Sequence, residues 1–136
     1  MNVITIVTTN YNQLASVYNS ALQTYEMTGE GDPYSTASGW FAGKEAPGGA
    51  WDYKIQPGYS PWDKIFSCTT YHGVEDENSD WLGNYNYGYV GEYLFSESVL
   101  LTASWADGVM SGDTGANETE DENNIRSGYS DAEAYA

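Results

Sequence analysis

Apolar residues in this chain recur mostly at helical spacing. Leu14, Val17, Tyr18, Ala21, Leu22 and Tyr25 stand at i, i+3 and i+4 intervals, which gathers them on one face of an amphipathic helix. That helix is expected to stop at Gly29-Glu30-Gly31-Asp32-Pro33, because glycine and proline end helical hydrogen bonding. Ahead of it, residues 2–7 alternate weakly and are rich in β-branched side chains. They predict a short strand, with Thr9 or Asn10 as the helix cap. A second, shorter helix is expected over 34–45, closed by Pro47-Gly48-Gly49. Residues 46–80 follow neither period and hold three of the four prolines. They predict a long irregular connection, the kind of segment that carries function or moves.

Residues 81–93, WLGNYNYGYVGEY, allow two readings. Tyr85, Tyr87 and Tyr89 alternate as in a strand, whereas Asn84, Gly88 and Gly91 share one face of a helix. The helix is favoured: its glycines admit another backbone, at a cost of about 1 kcal/mol each against alanine. Ser96 or Ser98 is expected to cap a further helix with Phe95, Val99, Thr102, Ala106 and Val109 at its apolar positions, ended by Gly108 and Gly112. An acidic loop over 113–124 then leads to a last helix that turns Ile125, Tyr129 and Ala132 inward. The expected architecture is mainly α: one compact helical domain over 1–136, with a long irregular loop and a small N-terminal β element. An α+β fold is the alternative.

Composition tests that picture. Leu, Ile, Val and Phe make up only 21 of 136 residues and the net charge is −16, a balance typical of disordered chains. Thirteen Tyr and five Trp overturn that reading, since each buried ring covers roughly 150–250 Å². Rings are expected to do here what aliphatic side chains do elsewhere. The cations are Lys44, Lys54, Lys64 and Arg126, against 20 carboxylates, so a polyanion meets long-range repulsion and nucleic acid is disfavoured as a partner. No apolar run reaches membrane-spanning length, and the opening MNVITIV lacks the basic segment of a signal peptide. Cys68 is the sole cysteine and reads as a small buried residue. Six acids precede residue 72 and fourteen follow it, crowded into 75–80 and 113–122, both expected to be loops.

Candidate chemistry comes from carboxylates near amides and rings. Asp52 and Lys54 follow a Gly-Gly turn; in extended chain they would share a side, and an ammonium beside a carboxylate keeps it ionised. Trp51, Asn84, Tyr85, Asn86 and Tyr87 offer ring faces, phenols and amides, the groups that bind sugars. Asp121, among Glu118, Glu120 and Glu122, is the candidate second catalytic carboxyl, because crowding raises the pKa of an acid. Asp80 and Glu92 bracket the aromatic segment and are secondary candidates, as is His72, the only imidazole. HExxH, CxxC, Walker and GxGxxG patterns are missing, as is a calcium-loop pattern, so no metal or cofactor is implied.

Four strings then fall in an ordered set: WFAGKEAPGGAWDYK (40–54), WLGNYNYGYVG (81–91), LLTASWADG (100–108) and DENNIRSGY (121–129). Together they resemble the type 44 toxin domain of bacterial polymorphic toxins, with Asp121, Ile125 and Gly128 matching its closing segment. Three positions depart from the family pattern: Asp107 stands where a Gln is common, and Asn117-Glu118 replaces an adjacent Asp pair. The resemblance implies a C-terminal toxin domain, secreted or delivered to a competitor cell, with an immunity protein as partner. Its residues favour a muramidase-like hydrolase of peptidoglycan or another glycan. Asp52, Asp121 and Lys54 would be catalytic, with Asn84, Tyr85, Tyr87, Asn86 and Trp51 on the substrate. The alternatives are an RNase toxin and a non-enzymatic acidic protein that mimics nucleic acid.

Overall fold

The computed structural model describes residues 1–103 and 115–136, with side chains of the last helix from Thr119 onward. The described elements are α1 (Val3–Thr28), α2 (Pro33–Glu45), β1 (Ile65–Thr70), β2 (Gly73–Asn78), α3 (Ser79–Gly91), α4 (Glu97–Thr102) and α5 (Gly115–Tyr135), with one 3₁₀ turn over Tyr53–Ile55. The chain is mainly α with a small β element, as expected, but that element is not at the N-terminus.

Residues 3–7 are helical, not a strand. Asn2 caps α1 by accepting from the Thr5 N–H at 3.2 Å. Val3, Val7, Asn10 and Leu14 form its buried stripe. Burial on that period outweighs the few tenths of a kcal/mol that each β-branched residue loses in a helix. The only β character near the N-terminus among the described residues is one bridge between Asn2 and Thr69. Gly29 ends α1 in the left-handed region (φ 70°) and donates to the Tyr25 carbonyl. Asp32 then caps α2, with Pro33 in its first turn.

The stretch expected to be irregular, 46–80, holds the antiparallel hairpin β1–β2, in register from Ile65 opposite Asn78 to Thr70 opposite Gly73. The carboxylates of 75–77 therefore lie on a strand, and Asp80 in the first turn of α3. The acidic stretch near 120 also lies on a helix, α5. The expected inward positions Ala106 and Val109, the stop at Gly108 and Gly112, and Asp107 lie outside the described residues.

Helix α3 is the centre of the molecule: every residue from Trp81 to Gly91 is buried. It packs against α1 and α5, and touches α4, β2 and the 3₁₀ turn. Rings carry much of that core, including Phe41, Trp51, Tyr53, Trp81, Tyr85, Tyr87, Tyr89 and Phe95. Ile125 and Ala132 turn inward from α5, as expected, and Cys68 is fully buried. Contact between α3 and α5 is made backbone to backbone. A Cβ on Gly88 would overlap the Ile125 carbonyl, and one on Gly128 the Tyr85 carbonyl. Two glycines thus bring the helices to a separation that no other residue pair allows. Among the described residues, no helix is long and apolar enough to cross a membrane.

Candidate functional site

The close crossing of α3 and α5 decides which polar groups meet. Asn84 lies one turn before Gly88, and Asp121 one turn before Ile125, so both sit beside the crossing. Asn84 is fully buried; its Nδ2 donates to Asp121 Oδ1 and to the Asp80 carbonyl, each at 3.1 Å. The Asp121 carboxyl also hydrogen-bonds that of Asp80. Asp121 is 2% exposed, whereas Asp80 is half-buried and reaches solvent. Burial pushes Asp80 up to about 7, helped by the charge and hydrogen bond of Asp121 and opposed by Lys54. A carboxyl pair at hydrogen-bond distance retains a proton because two adjacent negative charges repel.

Asp52 arrives from the other side. The segment 53–55 is a 3₁₀ turn rather than extended chain, yet the ion pair forms: Lys54 Nζ donates to Asp52 Oδ1 at 2.7 Å. The Gly48 N–H holds Asp52 Oδ2 at 3.0 Å, from a turn in which Gly48 takes φ 81°. Trp51, Asp52, Tyr53, Lys54, Ser79, Asp80 and Gly83 enclose a cavity of about 10 Å³, room for a single water. Two groups that the sequence did not point to stand behind this wall. Glu45, at the end of α2, is completely buried and accepts from Asn86 Nδ2 at 3.4 Å. Burial and the Asp52 charge hold its carboxyl well above the usual range, against the pull of Lys54. Asn10 donates to Tyr53 Oη and to Asn86 Oδ1, both at 2.9 Å. A helical-period signal for Glu45 exists in the sequence, since Ala37, Phe41 and Glu45 recur every four residues along the buried face.

The remaining expected site residues separate. Asn84 is at the carboxyl pair and Trp51 lines the cavity, edge-on to Trp40 at 5.5 Å. Asn86 belongs to the buried network with Glu45 and Asn10. Tyr87 lies in the core, stacked on Phe41 at 5.6 Å with its hydroxyl bonded to the Leu100 carbonyl, so it presents no ring face to a substrate. Tyr85 stacks on Trp81 at 4.7 Å and donates to Asp131 Oδ2 at 2.6 Å. His72 meets the other oxygen of Asp131 at 2.8 Å. Trp81, Tyr85, His72 and Asp131, with Glu75 and Glu77, line a separate open groove of about 580 Å³. Burial and the charges of Glu75, Glu120 and Asp76 push Glu77 up to about 7. Glu92 is not near the cavity: it accepts from Tyr11 Oη at the far end of α3, about 18 Å along the helix from Asp80. The side chain of Glu118 lies outside the described residues.

Three of the expected groups, Asp52, Lys54 and Asp121, are therefore gathered around Asp80, Asn84 and one small cavity. Among the described residues, no group of three or more His, Cys, Asp or Glu is arranged to hold a metal ion. The pocket combines a proton-bearing carboxyl open to solvent with a carboxylate fixed by an ammonium, a pairing suited to acid–base chemistry. No curated protein and no solved structure matches the chain. The model of one family, bacterial toxin 44, matches residues 41–133 and so spans Glu45, the Asp52–Lys54 turn, all of α3 and most of α5. The chain belongs to the bacterial toxin 44 family.

Proposed function

We propose that this toxin domain hydrolyses a glycan, the sugar backbone of the bacterial cell wall, in the manner of a muramidase. The carrying observation is Asp80: it reaches solvent, keeps a proton up to about pH 7 and shares a cavity with the Asp52–Lys54 pair. Glycoside hydrolysis needs such a division, a carboxylic acid to protonate the leaving oxygen and a carboxylate for the oxocarbenium-like transition state. Asp80 is the acid, supported by Asp121 and oriented through Asn84. Asp52, held by Gly48 and Lys54, supplies the negative charge. A cavity one water wide beside both carboxyls gives the hydrolytic water a place.

Convergence of carboxylates in one pocket favours this reading over a nucleic-acid mimic, which needs them in rows on one face. An RNase is disfavoured by the setting of the pocket, since the negative charges of Asp121 and Glu120 both act on Asp80 and the chain as a whole carries −16. The toxin would act after delivery to a target cell, with an immunity protein protecting the producer. Purified cell-wall sacculi report the activity by loss of turbidity. We expect clearing by the wild type and a loss of about 100-fold or more for Asp52→Asn, in line with removal of a catalytic charge. Equal clearing by both proteins would remove Asp52 from the mechanism. Cleavage of RNA with no effect on sacculi would replace the reading altogether.

A further inference from the structure

We infer that Trp62 is a sugar-stacking platform fastened beside the first turn of α3, which carries Asp80; the inference rests on the glycan-hydrolase reading and adds a substrate-binding residue to it. Trp62 is 56% exposed and has no ring partner among the described residues. Leaving so large an apolar side chain in water forfeits most of what its burial would contribute, whereas the Trp51 and Trp81 rings are buried in the core. The Trp62 backbone is nevertheless fixed. The Trp62 carbonyl accepts from the Asp80 N–H at 2.9 Å, and the Lys64 carbonyl from the Ser79 N–H at 3.2 Å. The Ser79 hydroxyl adds a third tie, to the Tyr59 carbonyl. Residues 59–64 are thus fastened to the first turn of α3, which also carries Asp80 and the cavity-lining Ser79. The backbone of Trp62 is one hydrogen bond away from that of the proposed acid. Ile55, directly after Lys54, and Ile65 are also exposed, at 53% and 61%.

Such a ring suits a pyranose. The C–H face of a sugar is apolar and lies flat on an indole, while its hydroxyls remain free for Asp80 and Lys54. A nucleobase stacks equally well, but it brings phosphates to a region holding Asp63, Glu77 and Glu120. Neutral sugar rings carry no such penalty.

The test uses insoluble sacculi and the whole chain. In the Asp80→Asn background, expected to bind with little cutting, adding Trp62→Ala should lower the fraction sedimenting with sacculi. In the active background Trp62→Ala should raise KM about tenfold, with kcat falling far less, and Trp62→Phe should recover most of the loss. Trp62 is exposed, so unchanged thermal melting is expected and excludes a folding defect. Wall binding and KM like those of the wild type in Trp62→Ala would overturn the platform while leaving the hydrolase reading intact. Capture of single-stranded RNA through Trp62, with none of sacculi, would overturn it in favour of a nucleobase. A wild type that leaves sacculi uncut removes the hydrolase reading, and the platform with it.

Discussion

Asp80→Asn will lose wall-lytic turnover by about 100- to 10,000-fold, the range typical when a general acid is removed. It will retain the fold, because Asn can still occupy a site that hydrogen-bonds Asp121. The same residue sets the pH dependence. Asp80 is raised to about 7 by burial and by Asp121, so the proton it donates is lost as the pH climbs through 7. Wild-type turnover should therefore fall on an alkaline limb centred near 7. Stability follows the same sign. A carboxyl whose folded pKa lies above its unfolded value favours folding below the unfolded value of about 4, and that contribution disappears as the pH rises towards 7. Asn does not titrate, so thermal melting of Asp80→Asn should decline less between pH 4 and 7 than that of the wild type. A variant with undiminished turnover, or a limb that persists unchanged in a partly active variant, would show that Asp80 is not the acid.

The largest structural effect is expected at the α3–α5 crossing. Gly128→Ala adds a methyl that overlaps the Tyr85 carbonyl and presses on the Tyr89 amide. These are backbone atoms of a fully buried helix and cannot turn aside as a side chain would. Overpacking of this kind costs typically 1–3 kcal/mol, occasionally more. We expect about 3 kcal/mol, a fall in Tm on the order of 10 °C for a chain of this size. Activity should fall with it even below the melting range, since separating the helices draws Asp121 away from Asp80 and Asn84. Gly39→Ala is the control. It lies inside α2 with nothing within 4 Å of the added carbon, and alanine there should stabilise by up to about 1 kcal/mol. Differential scanning calorimetry of the two variants reads both effects; equal stability of Gly128→Ala and wild type would mean that the crossing is not as tight as described.

Long, strongly periodic elements were legible in the sequence. The amphipathic spacing from Leu14 to Leu22 follows local burial, which repeats every 3.6 residues, although Tyr25 at the end of the expected stripe is exposed; in α3, buried all round, the Asn84–Gly88 spacing marks the face that meets α5. The hairpin was not, because β2 reads Gly-Val-Glu-Asp-Glu-Asn, with four polar residues and only the exposed Val74 as an apolar side chain. Its pairing with β1 is a tertiary fact without a period-2 pattern. Residues 2–7 misled in the opposite sense: β-branched content suggested a strand, but Val3 and Val7 bury on the same stripe as Asn10 and Leu14. In the site, Asp52 and Lys54 are close in sequence, so their pairing was open to inference. Asp80 and Asp121 are 41 residues apart, and only the two glycines at the crossing bring them together. Glu45 and Asn10 escaped because polar residues on a helix are ordinarily solvated; here the stripe they share with apolar neighbours carries them inward.

If the pocket around Asp80 cuts a glycosidic bond in the cell wall, mass spectrometry of the soluble products released from purified sacculi will show it. Sugar–peptide fragments that carry a new reducing sugar end should be released by the wild type near pH 6 and not by Asp80→Asn. Release of peptides from intact glycan strands, or no soluble product from the wild type, would contradict it.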